Sequence, residues 1–408
     1  MDRIKLQESL KLNLSWFENS GVMDPADGSW GVAERIVLKN DNGALEKTLK
    51  SFPAHLEYAD YAILEHRRPD CNFEAALMFL LASDVYKNDK YAVVAQNILR
   101  YLYCRSGMRN ANNIFKEYPS NVWRWSHSQW NFAVWFDDNA WNCVIPMIIA
   151  RLNPELDEKF KLFESGIELA EKIYEAFESQ FPEFASEPGR FRWDGDLKSP
   201  HWGAMAIMAL GFACINNPNP EYERVILKYT QYLDENIRNF TASERAYSLI
   251  GLATAASAIA DKSISAVAHK YADSLLNNMD QETGNIPSEW GREAPTGRHL
   301  VDLIYTLNWS LLGFYIIHGL TMEDKYDAAQ EKILNLLVKI QDRSEDKHLC
   351  GCWRGMYDLN AGGWGGGNCY EGGANSIYTG WTNAPVAIVI AARILKISLF
   401  NVSGTTQK

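Results

Sequence analysis

Apolar residues recur every three to four positions along most of the chain, and this recurrence predicts twelve helices. They fall near 4–19, 70–87, 89–105, 138–152, 154–178, 200–216, 219–239, 242–260, 262–278, 298–319, 323–342 and 384–397. Several starts carry end-capping chemistry as well. Asp70 stands ready to cap Asn72-Phe-Glu-Ala-Ala, Ser199 precedes Pro200, Thr241-Ala-Ser-Glu244 has the form of a capping box, and Asn383-Ala-Pro385 repeats the cap-then-proline signal.

From the second helix on, the members of each pair differ in character. The stretches 204–213, 249–260 and 386–395 are apolar nearly all round and rich in Ala and Gly, whereas 154–178, 219–239 and 323–342 each keep one charged face. A helix apolar on every side has to be enclosed, and a helix with one wet face has to cover it. Six enclosed helices ringed by six covering ones make an all-α (α/α)6 toroid, expected as one domain over 1–400 with a polar C-terminal tail over 401–408. An open solenoid of helix pairs is the competing architecture, but solenoids repeat at a fixed period and these pairs do not.

The connections leading into the enclosed helices are long, about 106–137, 179–199, 279–297 and 343–383. Long loops in a compact fold are commonly functional, and all of these should gather at the one mouth where the inner helices begin.

Composition narrows the partners. Hydrophobic residues make up 47% and charged residues 22% of 408, the net charge is -11, and Lys and Arg are scattered rather than gathered into a stripe, which argues against nucleic acid. Met1-Asp-Arg-Ile-Lys lacks the apolar run of a signal peptide, and no stretch of about twenty apolar residues occurs. The expectation is a soluble protein without membrane contact, cytoplasmic unless a leader has been removed, in which case periplasmic or secreted. The seven cysteines are irregularly spaced; Cys350-Gly-Cys352 with Cys369 is their one cluster, and it lacks a second ligand pair for a metal. No metal or cofactor is expected.

The long loops hold most of the fourteen tryptophans. Trp123, Trp125, Trp130, Trp135 and Trp141 surround one inner start, Trp193 and Trp202 the next, then Trp290, and last Trp353, Trp364 and Trp381. Indole faces that pack against pyranose C–H groups are the usual sugar platform. A carbohydrate ligand therefore suits Trp125, Trp141, Trp193, Trp202, Trp290, Trp364 and Trp381, with Trp30 and Arg35 carried in by the segment Asp27-Gly-Ser-Trp-Gly-Val-Ala-Glu34-Arg35, unless that segment is a strand edge packed on the jacket. Arg68, His201, Arg298, His299 and Tyr370 are further candidate contacts.

Carboxylates gather at the same ends. Asp137-Asp138 opens the fourth helix, Arg192-Trp-Asp194-Gly-Asp196 leads into the sixth, Glu289, Arg292 and Asp302 surround the tenth, and Tyr370-Glu371 precedes the last. Paired carboxylates beside an aromatic cleft are what glycosidic cleavage needs, one protonating the leaving oxygen and the other acting as nucleophile or base. Asp138 and Asp137 lead as acid/base and nucleophile, with Glu371 in reserve. Structural readings stand beside these: Asp138 as a helix cap, Glu244 as half of its capping box, Asp194-Gly-Asp196 as a turn or an oxygen-rich calcium loop. Gly362-Gly-Trp-Gly-Gly-Gly367 lacks the Lys-Ser/Thr ending of a phosphate loop.

Phe136-Asp-Asp-Asn-Ala-Trp141 resembles the Asp-Asp-x-x-Trp signature of the bacterial and fungal endo-α-1,6-mannanase family, a member of the six-hairpin glycosidase superfamily. That resemblance implies a retaining mechanism with Asp137 as nucleophile and Asp138 as acid/base. The chain is also similar to the unsaturated glucuronyl and rhamnogalacturonyl hydrolases, which place an essential Asp near an inner helix start, followed by a pattern like Trp141 and Pro146. There Arg35, Arg68, Arg298 and His201 would suit a uronate carboxylate, unsaturated or saturated, since a guanidinium grips it with two parallel hydrogen bonds. Other functions on the same scaffold are a sugar 2-epimerase using His201 and His299, a polysaccharide lyase, and a non-catalytic glycan-binding protein.

Overall fold

The computed structural model describes residues 2–39, 54–111, 115–116, 118–128, 133–181, 192–215, 217–288, 297–366 and 371–401. Among them run thirteen α-helices: α1 (Arg3–Asn19), α2 (Pro69–Tyr86), α3 (Asp89–Cys104), α4 (Phe136–Leu152), α5 (Pro154–Phe160), α6 (Leu162–Gln180), α7 (Pro200–Cys214), α8 (Pro220–Asn236), α9 (Ala242–Ala258), α10 (Lys262–Asn278), α11 (Leu307–Thr321), α12 (Asp324–Ile340) and α13 (Ala384–Leu395). The helices α2, α4, α7, α9, α11 and α13 pack each on the next, and α13 returns to α2, so the inner ring is closed. Outside it, α3 covers α2, α6 covers α4, α8 covers α7, α10 covers α9 and α12 covers α11. The first helix, α1, packs on the last, α13, so the two ends of the chain make the sixth hairpin. This is an (α/α)6 toroid.

The inner helices are buried on every side, as Ala204–Leu210 in α7 and Leu249–Ala255 in α9 illustrate. Their close approach needs glycine: a Cβ on Gly211 would sit 2.7 Å from Ala255 Cα, and one on Gly251 would sit 2.3 Å from the Ala204 carbonyl oxygen. Burial of such apolar surface is the main force closing the ring.

Four departures from the periodicity have local causes. The expected helix 154–178 is two, because Lys161 takes a left-handed φ of 55° and its N–H closes on Asp157. The expected helix at 298 begins only at Leu307: Asp302 Oδ1 accepts from the N–H groups of Ile304 and Tyr305 and Oδ2 from the Thr306 hydroxyl, holding a turn where a helix would need those groups free. Asp70 is not a cap. Arg68 occupies the N-cap of α2, and Asp70 lies in its first turn. Nor is Asp138 a cap, since Trp135 takes that position in α4. The Thr241/Glu244 capping box forms as expected.

Among the described residues seven short strands, which the helical pattern does not announce, lie at the end where the inner helices begin. Strands β1 (Arg35–Leu38), β2 (Ala54–Glu57), β3 (Tyr61–Leu64) and β7 (Ser376–Tyr378) form an antiparallel sheet in the order β2-β3-β1-β7, with Arg35 opposite Tyr378. Strands β4 (Leu300–Asp302), β5 (Met356–Asp358) and β6 (Gly363–Trp364) form a second sheet in chain order. The first sheet joins the segment before α2 to the segment before α13. The proposed tail begins with a buried residue, Asn401, whose carbonyl accepts from Arg151; 402–408 lie outside the described residues.

Candidate active site

At the mouth the side chains converge on Arg68, the residue before α2. Its Nε and Nη2 grip Asp70 at 3.1 and 2.7 Å, Nη2 also reaches Asp138 Oδ1 at 2.5 Å, and Nη1 reaches Glu34 Oε1 at 3.3 Å. The guanidinium lies 5.0 Å from the centre of the Trp381 ring and 5.6 Å from that of Trp125, within cation–π range of both. Pro69 directs the chain into α2, so Asp70 and Arg68 meet two residues apart, while Asp138 arrives from the first turn of α4.

The start of α4 is held from both sides. Asn139 donates to the carbonyls of Trp123 and Trp135 and accepts from the Trp123 N–H at 2.9 Å. Asp194 Oδ2 accepts from the Val134 N–H at 3.2 Å, and Trp135 pairs with Asp194. Asp194 is thus structural, as is Asp196, which caps a turn through Lys198 N–H; no group of three or more metal-ligating side chains assembles among the described residues.

Asp137 Oδ2 lies 2.8 Å from His201 Nε2, a link from α4 to the first turn of α7. The His201 ring packs on Tyr247 with centroids 4.5 Å apart and on Trp202 at 5.0 Å. The other oxygens of the aspartate pair, Asp137 Oδ1 and Asp138 Oδ2, are buried and have no hydrogen-bond partner in the protein. Buried polar atoms are nearly always satisfied, so two such oxygens on neighbouring residues are suited to meet a ligand.

Electrostatics separate the carboxyls. Burial pushes Asp138 well above the usual carboxylate range, and the neighbouring Asp70 and Asp137 add to this against the pull of Arg68. Asp70 is raised by burial in the same way. Glu34 goes down: burial opposes this, but the guanidinium charges of Arg35 and Arg68, with the neighbouring His66 ring, prevail. Burial lowers His66 to about 4, keeping its imidazole neutral beside Trp125. Glu74, one turn into α2, is pushed well above its ordinary value by burial and by Asp70.

Arg35, on β1, lies against Glu34 at 3.1 Å and Glu371 at 3.2 Å, and its Nη1 donates to the Tyr378 hydroxyl, which in turn donates to Glu371. Strand register accounts for this, because Arg35 faces Tyr378 across β1 and β7.

The structure therefore brings together Asp137, Asp138, Arg35, Arg68, Trp125, His201, Trp202, Trp381 and Glu371. Other candidates go elsewhere. Trp141 is buried and stacked on Trp309 at 5.6 Å, and Trp193 is buried against Phe136, so both belong to the core: an indole at an inner helix start can wedge between the rings as readily as face the mouth. Trp30 is 55% exposed and lies over Arg105 beyond the end of α3, while the same segment delivers Arg35 as a strand. Arg298 is largely exposed, 4.0 Å from Asp280. His299 precedes β4 and Trp364 sits on β6 against Tyr357, neither within the Arg68 cluster. Trp130, Glu289, Trp290, Arg292, Cys369 and Tyr370 lie outside the described residues.

Sequence reasoning missed Glu34, His66, Glu74, Tyr247 and Tyr378 as members of the site. A signal existed for Glu74, a charge four residues after Asp70 that directly precedes the apolar run Ala75–Ala82. For Glu34 and Tyr378 there was none, since strand pairing brings them in.

No family model matches the chain, and no curated protein sequence matches it, so the mannanase resemblance rests on the run 136–141. Solved structures do match in fold. An unsaturated glucuronyl hydrolase from Bacillus sp. GL1, responsible for the degradation of glycosaminoglycan, superposes with a TM-score of 0.61 at 11% identity, covering 98% of this chain and 100% of that one. A sugar epimerase from a ruminal bacterium gives 0.62 at 11% identity, covering 96% and 99%. The cellobiose 2-epimerase of Bacillus thermoamylovorans gives 0.54 at 11%, covering 80% and 88%. At these identities the likeness is one of fold. Among the described residues, no helix is long and apolar enough to cross a membrane.

Proposed function

We propose that this chain is a carbohydrate-active enzyme, and specifically a glycoside hydrolase with Asp138 as its acid/base. The observation that carries the reading is the state of Asp138. It is buried, pushed toward its protonated form, anchored through Oδ1 to Arg68, and left with Oδ2 unpartnered beside the equally unpartnered Oδ1 of Asp137. A carboxyl kept neutral by its surroundings next to another carboxylate is the arrangement that protonates a leaving group. Asp138 Oδ2 would deliver its proton to the glycosidic oxygen as the C–O bond breaks. Asp137, oriented by His201, would meet the positive charge developing at the anomeric carbon, as a covalent nucleophile or by steering water. A water molecule supplies the hydroxyl and returns a proton to Asp138. The shared fold of the solved glucuronyl hydrolase supports the scaffold for such chemistry.

One observation favours a second reading. A carboxylate 2.8 Å from an imidazole is also a base-orienting pair, and sugar epimerases share this fold. Incubation with plant, fungal and host oligosaccharides, read by product mass, separates them: a hydrolase adds one water across each cleaved bond, an epimerase leaves mass unchanged, and a lyase yields an unsaturated product without added water.

A further inference from the structure

We infer that the sugar taken at this mouth is uncharged, bearing no carboxylate, sulfate or phosphate at the ring bound beside Asp137 and Asp138; this rests on the reading of the chain as a carbohydrate-active enzyme. A guanidinium has five N–H groups. In Arg68 the Nε hydrogen and one Nη2 hydrogen go to Asp70, the other Nη2 hydrogen goes to Asp138, one Nη1 hydrogen goes to Glu34, and two indoles, Trp381 and Trp125, lie within 5.6 Å of its Cζ. No edge of it offers the two parallel donors that a uronate takes.

Arg35 is flanked by carboxylates as well. Its Nε lies 3.1 Å from Glu34 without a hydrogen bond, its Nη1 serves Glu371 and Tyr378, and its Cζ sits 4.6 Å from the centre of the Tyr378 ring. Two further guanidiniums also have acidic neighbours: Arg67 pairs with Glu65, and Arg298 lies within 4.0 Å of Asp280. Against the two central guanidiniums stand the carboxyls of Glu34, Asp70, Asp137, Asp138 and Glu371. An anionic ring entering here would have to displace an existing carboxylate from a buried ion pair, or stand beside several without a partner. Both are strongly unfavourable in a water-poor site. The carboxyl oxygens left without a hydrogen-bond partner, Asp137 Oδ1 and Asp138 Oδ2, suit sugar hydroxyls and a glycosidic oxygen. The carboxylate-rich mouth thus selects against the uronate class that the scattered arginines of the sequence suggest.

The test uses the wild-type protein and matched pairs of sulfur-linked oligosaccharides, which resist cleavage, differing only in whether the terminal ring carries a hydroxymethyl group or a carboxylate. Calorimetry should show at least one neutral member bound tenfold or more tighter than its uronate counterpart. Glu371→Gln, which unburdens Arg35, should narrow that gap by raising uronate affinity. Uronates bound equally or more tightly, or no binding by either series, would overturn the inference. Should neutral analogues bind while the matching oxygen-linked sugars keep their mass, the hydrolase reading fails and the inference on charge stands.

Discussion

Arg68 Nη2 and Asp138 Oδ1 lie 2.5 Å apart with both side chains almost wholly buried, and this contact ties the start of α2 to the start of α4 at the centre of the ring. Arg68 holds Asp138 by one oxygen and leaves the other, Oδ2, without a hydrogen-bond partner in the protein. Its charge also lies against Asp70 and Glu34, so one side chain links three buried carboxyls.

Removal of that charge should therefore cost more than a surface ion pair. Arg68→Ala leaves three buried carboxyls without their shared partner, and a loss of about 3–5 kcal/mol is expected for a broken buried pair. Urea unfolding of the variant against wild type measures it. A change below about 1 kcal/mol, the scale of exposed pairs, would contradict the role given to Arg68.

Asp138→Asn keeps the shape of the side chain and removes its transferable proton. Turnover of any substrate found should fall by roughly 10²–10⁴, the usual contribution of a positioned acid/base. Because the buried carboxyl is held toward its neutral form, the melting temperature near neutral pH should hold or rise.

The pH dependence has a definite sign. The folded pKa values of Asp138 and Glu74 are raised, chiefly by burial, so the fold favours their neutral forms. The stabilisation from each is fully present below the ordinary carboxylate value and is lost as pH rises through the raised folded value. Glu34 runs the other way: its folded pKa is lowered, so its contribution is present above the ordinary value and is lost as pH falls through the folded one. Glu74→Gln should therefore flatten the decline of the melting temperature on the alkaline side and leave the acid side alone. An unchanged alkaline slope would show that Glu74 does not carry a raised pKa.

His201→Ala removes the partner of Asp137. A hydrogen bond to a charged group contributes about 1.5–3 kcal/mol, so kcat should drop by roughly ten- to a hundredfold if Asp137 is oriented by that bond. Under the epimerase reading the loss should be complete, because the base itself is gone. Single-turnover rates distinguish the two.

The ring could be read from the chain because each inner helix is apolar all round and each outer one is not, a pattern that local packing cannot disguise. The run 384–397 and the capping box at Thr241 show this at the level of single helices. The aspartate pair was legible too, since polar residues at the start of an enclosed helix have few reasons to be there. What stayed hidden depends on long-range pairing. Arg35 reaches Glu371 only because β1 pairs with β7 across most of the chain, and strands of three or four residues leave no periodic trace. Tryptophans misled for a related reason. Trp193 and Trp125 occupy similar loops, yet one is wedged against Phe136 and the other lies under Arg68, a difference set by side-chain direction rather than by composition.

The most direct measurement is product mass after wild type and Asp138→Asn are each incubated with neutral oligosaccharides in ¹⁸O-labelled water. The account predicts fragments from wild type that carry one labelled oxygen per cleaved bond, and almost none from the variant. Labelled fragments formed by Asp138→Asn at the wild-type rate would contradict it.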